Sequence, residues 1–314
     1  MIKVMPMKET DIADALRLWE AQFGRYCCCH AFPDFREGGR HVIKSYIARQ
    51  IRENKAVVAK KEHRIVGYMA WMYFDFHKEK SAFWPTTGHA ASLENEIVVY
   101  EEMYAYAAGN WVRDDRLNHL WMTYFEDEAL KNRLYDMGFG SHVIDACQTT
   151  DLAIKSSCDY AVRFADMDDA DALRAFVNGS AEFYASAPIF LKREPDTMAE
   201  IIDLIENKSI LIALDGDRIV GSMSFQLDSD FHSERLTTPD SVARMGAYID
   251  PNDRRKGIGS ALLAKAFNVC RGKGKRYIHV AFETANANAM GFWPQYFKPA
   301  IRSVRRTINK DANS

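Results

Sequence analysis

The feature that most constrains this chain is that it repeats itself. Ala13-Asp14-Ala15-Leu16-Arg17 returns as Ala170-Asp171-Ala172-Leu173-Arg174, an offset of 157. Glu53-Asn54-Lys55 returns as Glu206-Asn207-Lys208 at 153, Arg64-Ile65-Val66-Gly67 as Arg218-Ile219-Val220-Gly221 at 154, and Phe125-Glu126 as Phe282-Glu283 at 157. One such match arises by chance; four in the same order hardly do. An offset that wanders by a few residues confines insertions to loops, so the two halves should share one topology. The polar stretch from Thr149 to Asp159 reads as the linker. We therefore expect two domains, residues 1–150 and 151–314, meeting near Leu152.

Each copy reads alike. An opening strand (residues 3–5; 160–164) leads through an acidic cap into a helix beginning near Asp11 or Asp168. A second helix follows, with Val42, Ile43, Tyr46, Ile47 and Ile51 on one face in the first copy and Met198, Ile201, Ile202 and Ile205 in the second. Then comes a β-hairpin: residues 210–214 and 219–225 turned by Asp215-Gly216-Asp217, matched earlier by residues 56–59 and 65–74. Helices alternating with strands make the fold class α/β (α+β). The dense aromatics Trp71, Tyr73, Phe74, Phe76, Phe83 and Trp84 read as core.

Composition excludes several classes of function. With 41 basic and 43 acidic residues interspersed, the net charge of −2 offers no nucleic-acid footprint and no polybasic membrane patch. No apolar run approaches the ~20 residues of a bilayer span, and the first eight residues lack a signal-peptide core, so a cytoplasmic protein is expected. Six cysteines, three of them consecutive at Cys27-Cys28-Cys29 beside His30, suit small side chains in a reducing compartment better than disulfides or zinc. No metal is expected.

Chemistry concentrates in Ile249-Asp250-Pro251-Asn252-Asp253-Arg254-Arg255-Lys256-Gly257-Ile258-Gly259-Ser260. A strand-like run, residues 243–249, precedes it, and residues 261–269 have the spacing of an amphipathic helix. Glycines at 257 and 259 let backbone N–H groups approach a bulky anion, and the helix start adds unpaired donors and a positive dipole end. A Walker loop needs Lys and Ser or Thr after its last glycine, where this chain has Ser260 and Ala261; a dinucleotide fingerprint needs a small residue where Leu262 stands. Both fail. What fits is Arg-x-x-Gly-x-Gly after a strand that ends in Ile-x-Pro. Downstream, a strand at residues 276–282 runs into Glu283-Thr284-Ala285-Asn286, an Asn-x-x-Ala helix over residues 287–293, and Tyr296-Phe297, read as an aromatic strand. Loop and downstream order together resemble the GNAT N-acetyltransferases, strongly over residues 160–308 and, through the repeat, over residues 1–147.

The resemblance implies two tandem GNAT-like domains, each a mixed sheet splayed between its fourth and fifth strands, here residues 243–249 and 277–282. It implies acetyl-CoA as co-substrate, with its pantetheine arm in the splay against Ala247, Tyr248 and Ile249. Its pyrophosphate would lie on Arg254, Arg255, Lys256, Gly257, Ile258, Gly259 and Ser260, with Asn286 and Trp293 opposite. The implied reaction is direct attack of an amine on the thioester, the carbonyl oxygen meeting a backbone N–H. An alkylamine with a pKa of about 10.4 must lose a proton first. Glu283 is the leading candidate base, followed by Glu234 and Asp240. The family often places a tyrosine after Asn-x-x-Ala to protonate the leaving thiolate; Trp293 stands there, so Tyr296 or Tyr248 would have to substitute.

The first copy has Leu93-Glu94-Asn95-Glu96-Ile97-Val98-Val99-Tyr100-Glu101-Glu102 where the second has its glycine loop. Carboxylates without glycine are the wrong charge for phosphate, so this copy is expected to be degenerate. The reading is then an N-acetyltransferase, monomer or homodimer, acting on a primary amine of a small molecule; residues 183–188 and His232 are candidate acceptor contacts. The alternatives are a non-catalytic acyl-CoA sensor, prompted by Trp293, or transfer to a hydroxyl or a protein terminus.

Overall fold

The computed structural model describes residues 1–27, 32–156 and 158–313. Cys28, Cys29 and His30 therefore lie outside the described residues. Contacts divide the chain into two compact units. The first comprises Met1–Asp145, Phe231–Thr238 and the stretch from Pro299 onward; the second comprises Ala146–Asp230 and Pro239–Lys298.

The first unit runs β1 (Ile2–Pro6), α1 (Ile12–Cys27), α2 (Arg36–Arg52), β2 (Ala56–Lys61), β3 (Arg64–Ala70), β4 (Met72–Phe76), β5 (Glu79–Trp84), β6 (His89–Ala91), α3 (Glu96–Arg113), β7 (Asn118–Tyr124), α4 (Glu128–Asp136) and β8 (Gly140–Thr149), the unit boundary falling within β8. Helix α1 buries Ile12, Ala15, Leu16, Trp19, Gln22, Phe23 and Cys27, the helical period written into its sequence. Strands β1-β2-β3-β6 form an antiparallel sheet. The expected long strand over residues 65–74 is broken: the Trp71 N–H turns back to the Lys55 carbonyl at 3.0 Å, and β4 leaves to pair with β5. A second group of strands is then built from β4, β5, β7 and the C-terminal strand Lys298–Thr307, which lies antiparallel to β7 from Ile301↔Tyr124 to Thr307↔Asn118. This pairing is why the chain from Pro299 onward, read from the sequence as part of the second domain, clusters with the first unit.

The second unit runs β9 (Ala161–Phe164), α5 (Ala170–Asn178), α6 (Ser180–Ala185), α7 (Met198–Glu206), β10 (Ile210–Asp215), β11 (Arg218–Gln226), β12 (Ser241–Ile249), α8 (Ile258–Gly272), β13 (Tyr277–Glu283) and α9 (Ala287–Phe292). Strands β9 to β12 are antiparallel neighbours, and β13 joins β12 in parallel, so the sheet is mixed. Tyr296 and Phe297, expected on a strand, instead close a turn: both N–H groups reach the Trp293 carbonyl, at 3.0 and 2.9 Å, with Pro294 setting the turn, and the strand starts at Lys298.

The repeated Arg-Ile-Val-Gly now has a physical reason. In both hairpins the glycine faces an alanine (Ala59↔Gly67; Ala213↔Gly221), and the ladder slips by one residue at the next pair. A bulge at the same place in each copy lets a helix lie close over the glycine. A Cβ on Gly67 would sit 2.4 Å from Val99 Cγ1 of α3, and one on Gly221 would sit 2.8 Å from Ile258 Cγ2 of α8. Helices α3 and α8 therefore occupy equivalent places, each seated where only glycine leaves room.

Candidate active site

A cleft of about 1320 Å³ opens in the second unit, lined by β12, the 250–260 loop, the start of α8, the end of β13, α9 and α6. Its spine is β12. On one edge β12 pairs with β11 out to Ile249↔Gly221. On the other, its parallel ladder to β13 slips after Val242 and ends at Met245↔Val280. The two strands thus diverge, leaving the β13-facing edge of Gly246, Ala247, Tyr248 and Ile249 outside the ladder and on the cleft. Backbone N–H and C=O groups on such an edge are satisfied by water or by an extended ligand carrying amides.

The loop that follows is shaped by three local devices. Asp250 accepts the Asn252 N–H at 2.9 Å and Pro251 sets a short 3-10 turn. Asp253, 3% exposed, binds Lys256 Nζ at 2.7 Å and an Arg218 nitrogen at 2.8 Å, and these two cations hold its carboxyl below the usual value. Gly257, at φ +81°, N-caps α8 in the left-handed region that side chains avoid. The N-terminal N–H groups of the 15-residue α8 therefore open onto the cleft past Gly257, Ile258 and Gly259. Gly259 serves packing: a Cβ there would lie 3.1 Å from the Phe292 ring.

The basic residues have different fates. Arg254 and Arg255 line the cleft; Arg254 donates through Nε to the Ile249 carbonyl at 3.2 Å and lies 4.9 Å from the Phe183 ring centroid. Lys256 is tied to Asp253 and does not line the cleft, so the structure separates it from the cofactor set read from the sequence. The Ser260 hydroxyl donates back to the Gly257 carbonyl at 2.9 Å, although the residue does line the cleft. Across from the loop, Asn286 is 4% exposed and caps α9, its Oδ1 accepting the Ala289 N–H at 3.1 Å. Trp293, 6% exposed, packs on Phe292 and Phe297 and lines the same wall.

All three candidate catalytic residues reach this cleft. Tyr248, on β12, packs on Phe176 at 5.2 Å, and burial pushes its hydroxyl up. Tyr296 packs on Phe292 at 5.3 Å, its backbone carbonyl held by Gln148 Nε2 at 2.9 Å. Glu283 is not a solvated carboxylate: Arg193 binds it at 3.0 Å, and the Arg193 guanidinium lies 3.3 Å from the centroid of the Tyr184 ring. The lower-ranked bases are placed elsewhere. Asp240 pairs with Arg276 at 3.5 Å outside the cleft, and Glu234, like His232, falls in Phe231–Thr238 of the first unit. Sequence reasoning missed Arg193, Arg244, Ser222, Ser224 and Gln226, which also line the cleft. The alternation Ser222-x-Ser224-x-Gln226 along β11 was the available signal.

In the first unit the same places are filled. Strand β6 has three residues and forms no ladder with β7. Between them sits a hydrogen-bonded aromatic cluster: His89 Nδ1 is 3.1 Å from the Tyr100 hydroxyl and its Nε2 2.7 Å from the Met122 carbonyl, while Gln22 Nε2 donates to Tyr100 at 2.9 Å. The first residue of α3 is Glu96, paired with Arg25 at 3.2 Å, and the residue capping α4, where Asn286 caps α9, is Asp127. Burial pushes both carboxyls up. Instead of one splayed sheet this unit has two groups of strands with a packed core between them. Among the described residues no group of His, Cys, Asp or Glu is arranged to hold a metal ion, and no helix is long and apolar enough to cross a membrane.

Residues 180–297 match the model of the acetyltransferase (GNAT) family. No curated protein matches the chain in sequence. Among solved structures, a GCN5-related N-acetyltransferase from Sphaerobacter thermophilus is similar with a TM-score of 0.62 at 13% identity, over 98% of this chain and 96% of that one. A GNAT-family acetyltransferase from Colwellia psychrerythraea is similar at 0.51 and 14% identity, over 98% and 100%. A glucosamine N-acetyltransferase region of a fungal multi-domain β-N-acetylglucosaminidase is similar at 0.56 and 13%, over 98% of this chain and 38% of that one. At such identities the likeness is one of fold.

Proposed function

From a chain that carries a GNAT-family acetyltransferase domain at residues 180–297, we propose an N-acetyltransferase that moves an acetyl group from acetyl-CoA to a primary amine of a small molecule. The observation that carries this reading is the continuity of the half-paired β12 edge with the start of α8, both of which line the cleft. An extended, amide-bearing arm ending in a diphosphate meets backbone donors and acceptors along residues 246–249, then helix N–H groups and Arg254 and Arg255 at residues 254–260.

In the proposed reaction the acceptor's ammonium passes a proton to Glu283, directly or through water. The neutral nitrogen attacks the thioester carbon, and the growing oxyanion is met by a backbone N–H of the diverging β12 edge. The C–N bond forms as the C–S bond breaks, and the second proton left on the cationic nitrogen departs through water, which yields the neutral amide and returns a proton to any tyrosinate formed. The departing thiolate takes a proton from Tyr296 or Tyr248, or leaves unassisted, a thiol pKa of about 8.5 making it a tolerable leaving group. No enzyme nucleophile is used. In this reading residues 1–150 carry a degenerate copy that supports the catalytic one, consistent with the filled space between β6 and β7. Calorimetry with acetyl-CoA and a thiol-release assay over a panel of amines test it. Tight binding that Gly257→Glu abolishes, with thiol release for some amines, is expected; absence of binding, or binding indifferent to Gly257→Glu, removes the reading.

A further inference from the structure

A cation already sits on the candidate base, and it comes from the protein itself. Glu283 ends β13, past Val280, the last residue of that strand to pair with β12, so its carboxyl stands where the two strands have parted. Arg193 donates to Glu283 Oε1 at 3.0 Å, and the same guanidinium lies 3.3 Å from the centroid of the Tyr184 ring. A carboxylate and an aromatic face that converge on one positive charge make a cation subsite. All three residues line the cleft.

The chain delivers Arg193 there on a pinned loop. After α6 the Leu191 N–H donates to the Tyr184 carbonyl at 2.7 Å, folding the segment back on its own helix. Further on, the Asp196 N–H donates to Asn178 Oδ1 at 2.7 Å, and Asn178 Nδ2 donates to the Asp196 carbonyl at 3.1 Å. The backbone is thus held on both sides of Arg193, and the tip of a long, flexible side chain makes the contact with Glu283. That side chain is 37% exposed and the Glu283 side chain 18%, a setting in which an ion pair adds little to stability, so the guanidinium can leave with the loop in place. Arginine gives up no proton near neutral pH; while it holds Glu283, the place of a proton-donating ammonium is filled by a cation that cannot donate one. We propose that Arg193 stands in for the acceptor: its guanidinium occupies the subsite, formed by Glu283 and the Tyr184 ring, that receives the acceptor's ammonium, and acceptor binding displaces it.

The inference rests on the acetyl-transfer reading above. The subsite takes a primary alkylammonium or an alkylguanidinium, and only the first is a substrate, because the second keeps its proton. Purified full-length protein is assayed for CoA thiol release with the amines it turns over, butylguanidinium being the inhibitor. Inhibition is expected to be competitive with the amine and not with acetyl-CoA. Arg193→Gln removes the competing charge and should lower both the KM of the amine and the inhibition constant of butylguanidinium by about three- to tenfold, with acetyl-CoA affinity, measured by calorimetry, intact; Arg193→Lys should fall between. Tyr184→Leu should raise the inhibition constant. An arginine that only fastened its loop, or that itself touched the acceptor, would give the reverse, a higher KM in Arg193→Gln. That result, an unchanged KM, or inhibition that is not competitive with the amine overturns the assignment and leaves acetyl transfer standing. Should Arg193→Gln fail to fold, the inhibition pattern of the unaltered protein and of Tyr184→Leu decides. No thiol release with any amine removes both.

Discussion

Two buried histidines make the first unit acid-sensitive by a calculable amount. His89 and His119 are both 0% exposed, and burial lowers each from 6.5 to about 4. Their settings match: Nε2 of His119 lies 3.0 Å from the Arg116 carbonyl and Nδ1 2.9 Å from the Tyr104 hydroxyl, as His89 lies between the Met122 carbonyl and Tyr100. Each neutral ring is thus boxed between a backbone carbonyl and a tyrosine hydroxyl, the two tyrosines lying one turn apart on α3. The folded pKa is below the unfolded one. Stability is therefore complete above pH 6.5 and is lost as the pH falls toward 4. At about 1.4 kcal/mol per pH unit, the interval from 6.5 to about 4 costs about 3 kcal/mol for each imidazole. Glu96 and Asp127, pushed up by burial, have the opposite linkage and trim the loss. The assay is urea unfolding followed by tryptophan fluorescence from pH 8 to 4.5. Stability should fall between pH 6.5 and 4.5, with a slope that lessens by about one proton in His89→Gln and again in the double variant with His119→Gln. A flat profile, or a slope untouched by these changes, would refute the reading of β6 and β7 as walls of a dry core.

The two equivalent glycines separate folding from ligand binding. Gly67→Ala and Gly221→Ala should each cost about 1–3 kcal/mol by overpacking, seen in thermal melts, but only Gly221→Ala should also weaken acetyl-CoA binding, because it pushes on Ile258 at the start of α8. Asn286→Ala should lower stability by about 1 kcal/mol through loss of the α9 cap and raise the acetyl-CoA dissociation constant; retention of both values would dissociate the cap from the site. Asp127→Asn keeps a capping oxygen for Leu130 while removing a buried carboxylate, so unfolding at pH 8 should show no loss or a gain of up to about 1 kcal/mol. A larger loss would show that the ionised carboxylate is itself needed.

What could be read in the chain was whatever is dictated locally. Gly257 and Gly259 announce a turn that bares backbone N–H groups, residues 261–269 an amphipathic helix, and the recurring Arg-Ile-Val-Gly a hairpin built twice. These depend on φ, on orphan helix N–H groups and on side-chain period, which neighbouring residues settle among themselves. The fate of each charge was not of this kind. Lys256 looks like a phosphate ligand beside Arg254 and Arg255, but it is tied to Asp253 and does not line the cleft. Glu283 reads as a candidate base at a strand end, but nothing near it in sequence announces Arg193, which reaches it from 90 residues away. The absence of glycine near Glu96 said only that an anion site was missing; that histidines and aromatics fill the space is a matter of packing. Sequence alone thus determined a bulged hairpin motif that occurs twice and a glycine loop at the head of a helix. Tertiary structure decided which strand edge stays half-paired and which distant charges meet on it, because ion pairs and ladder ends are set by chain segments that sequence order keeps apart.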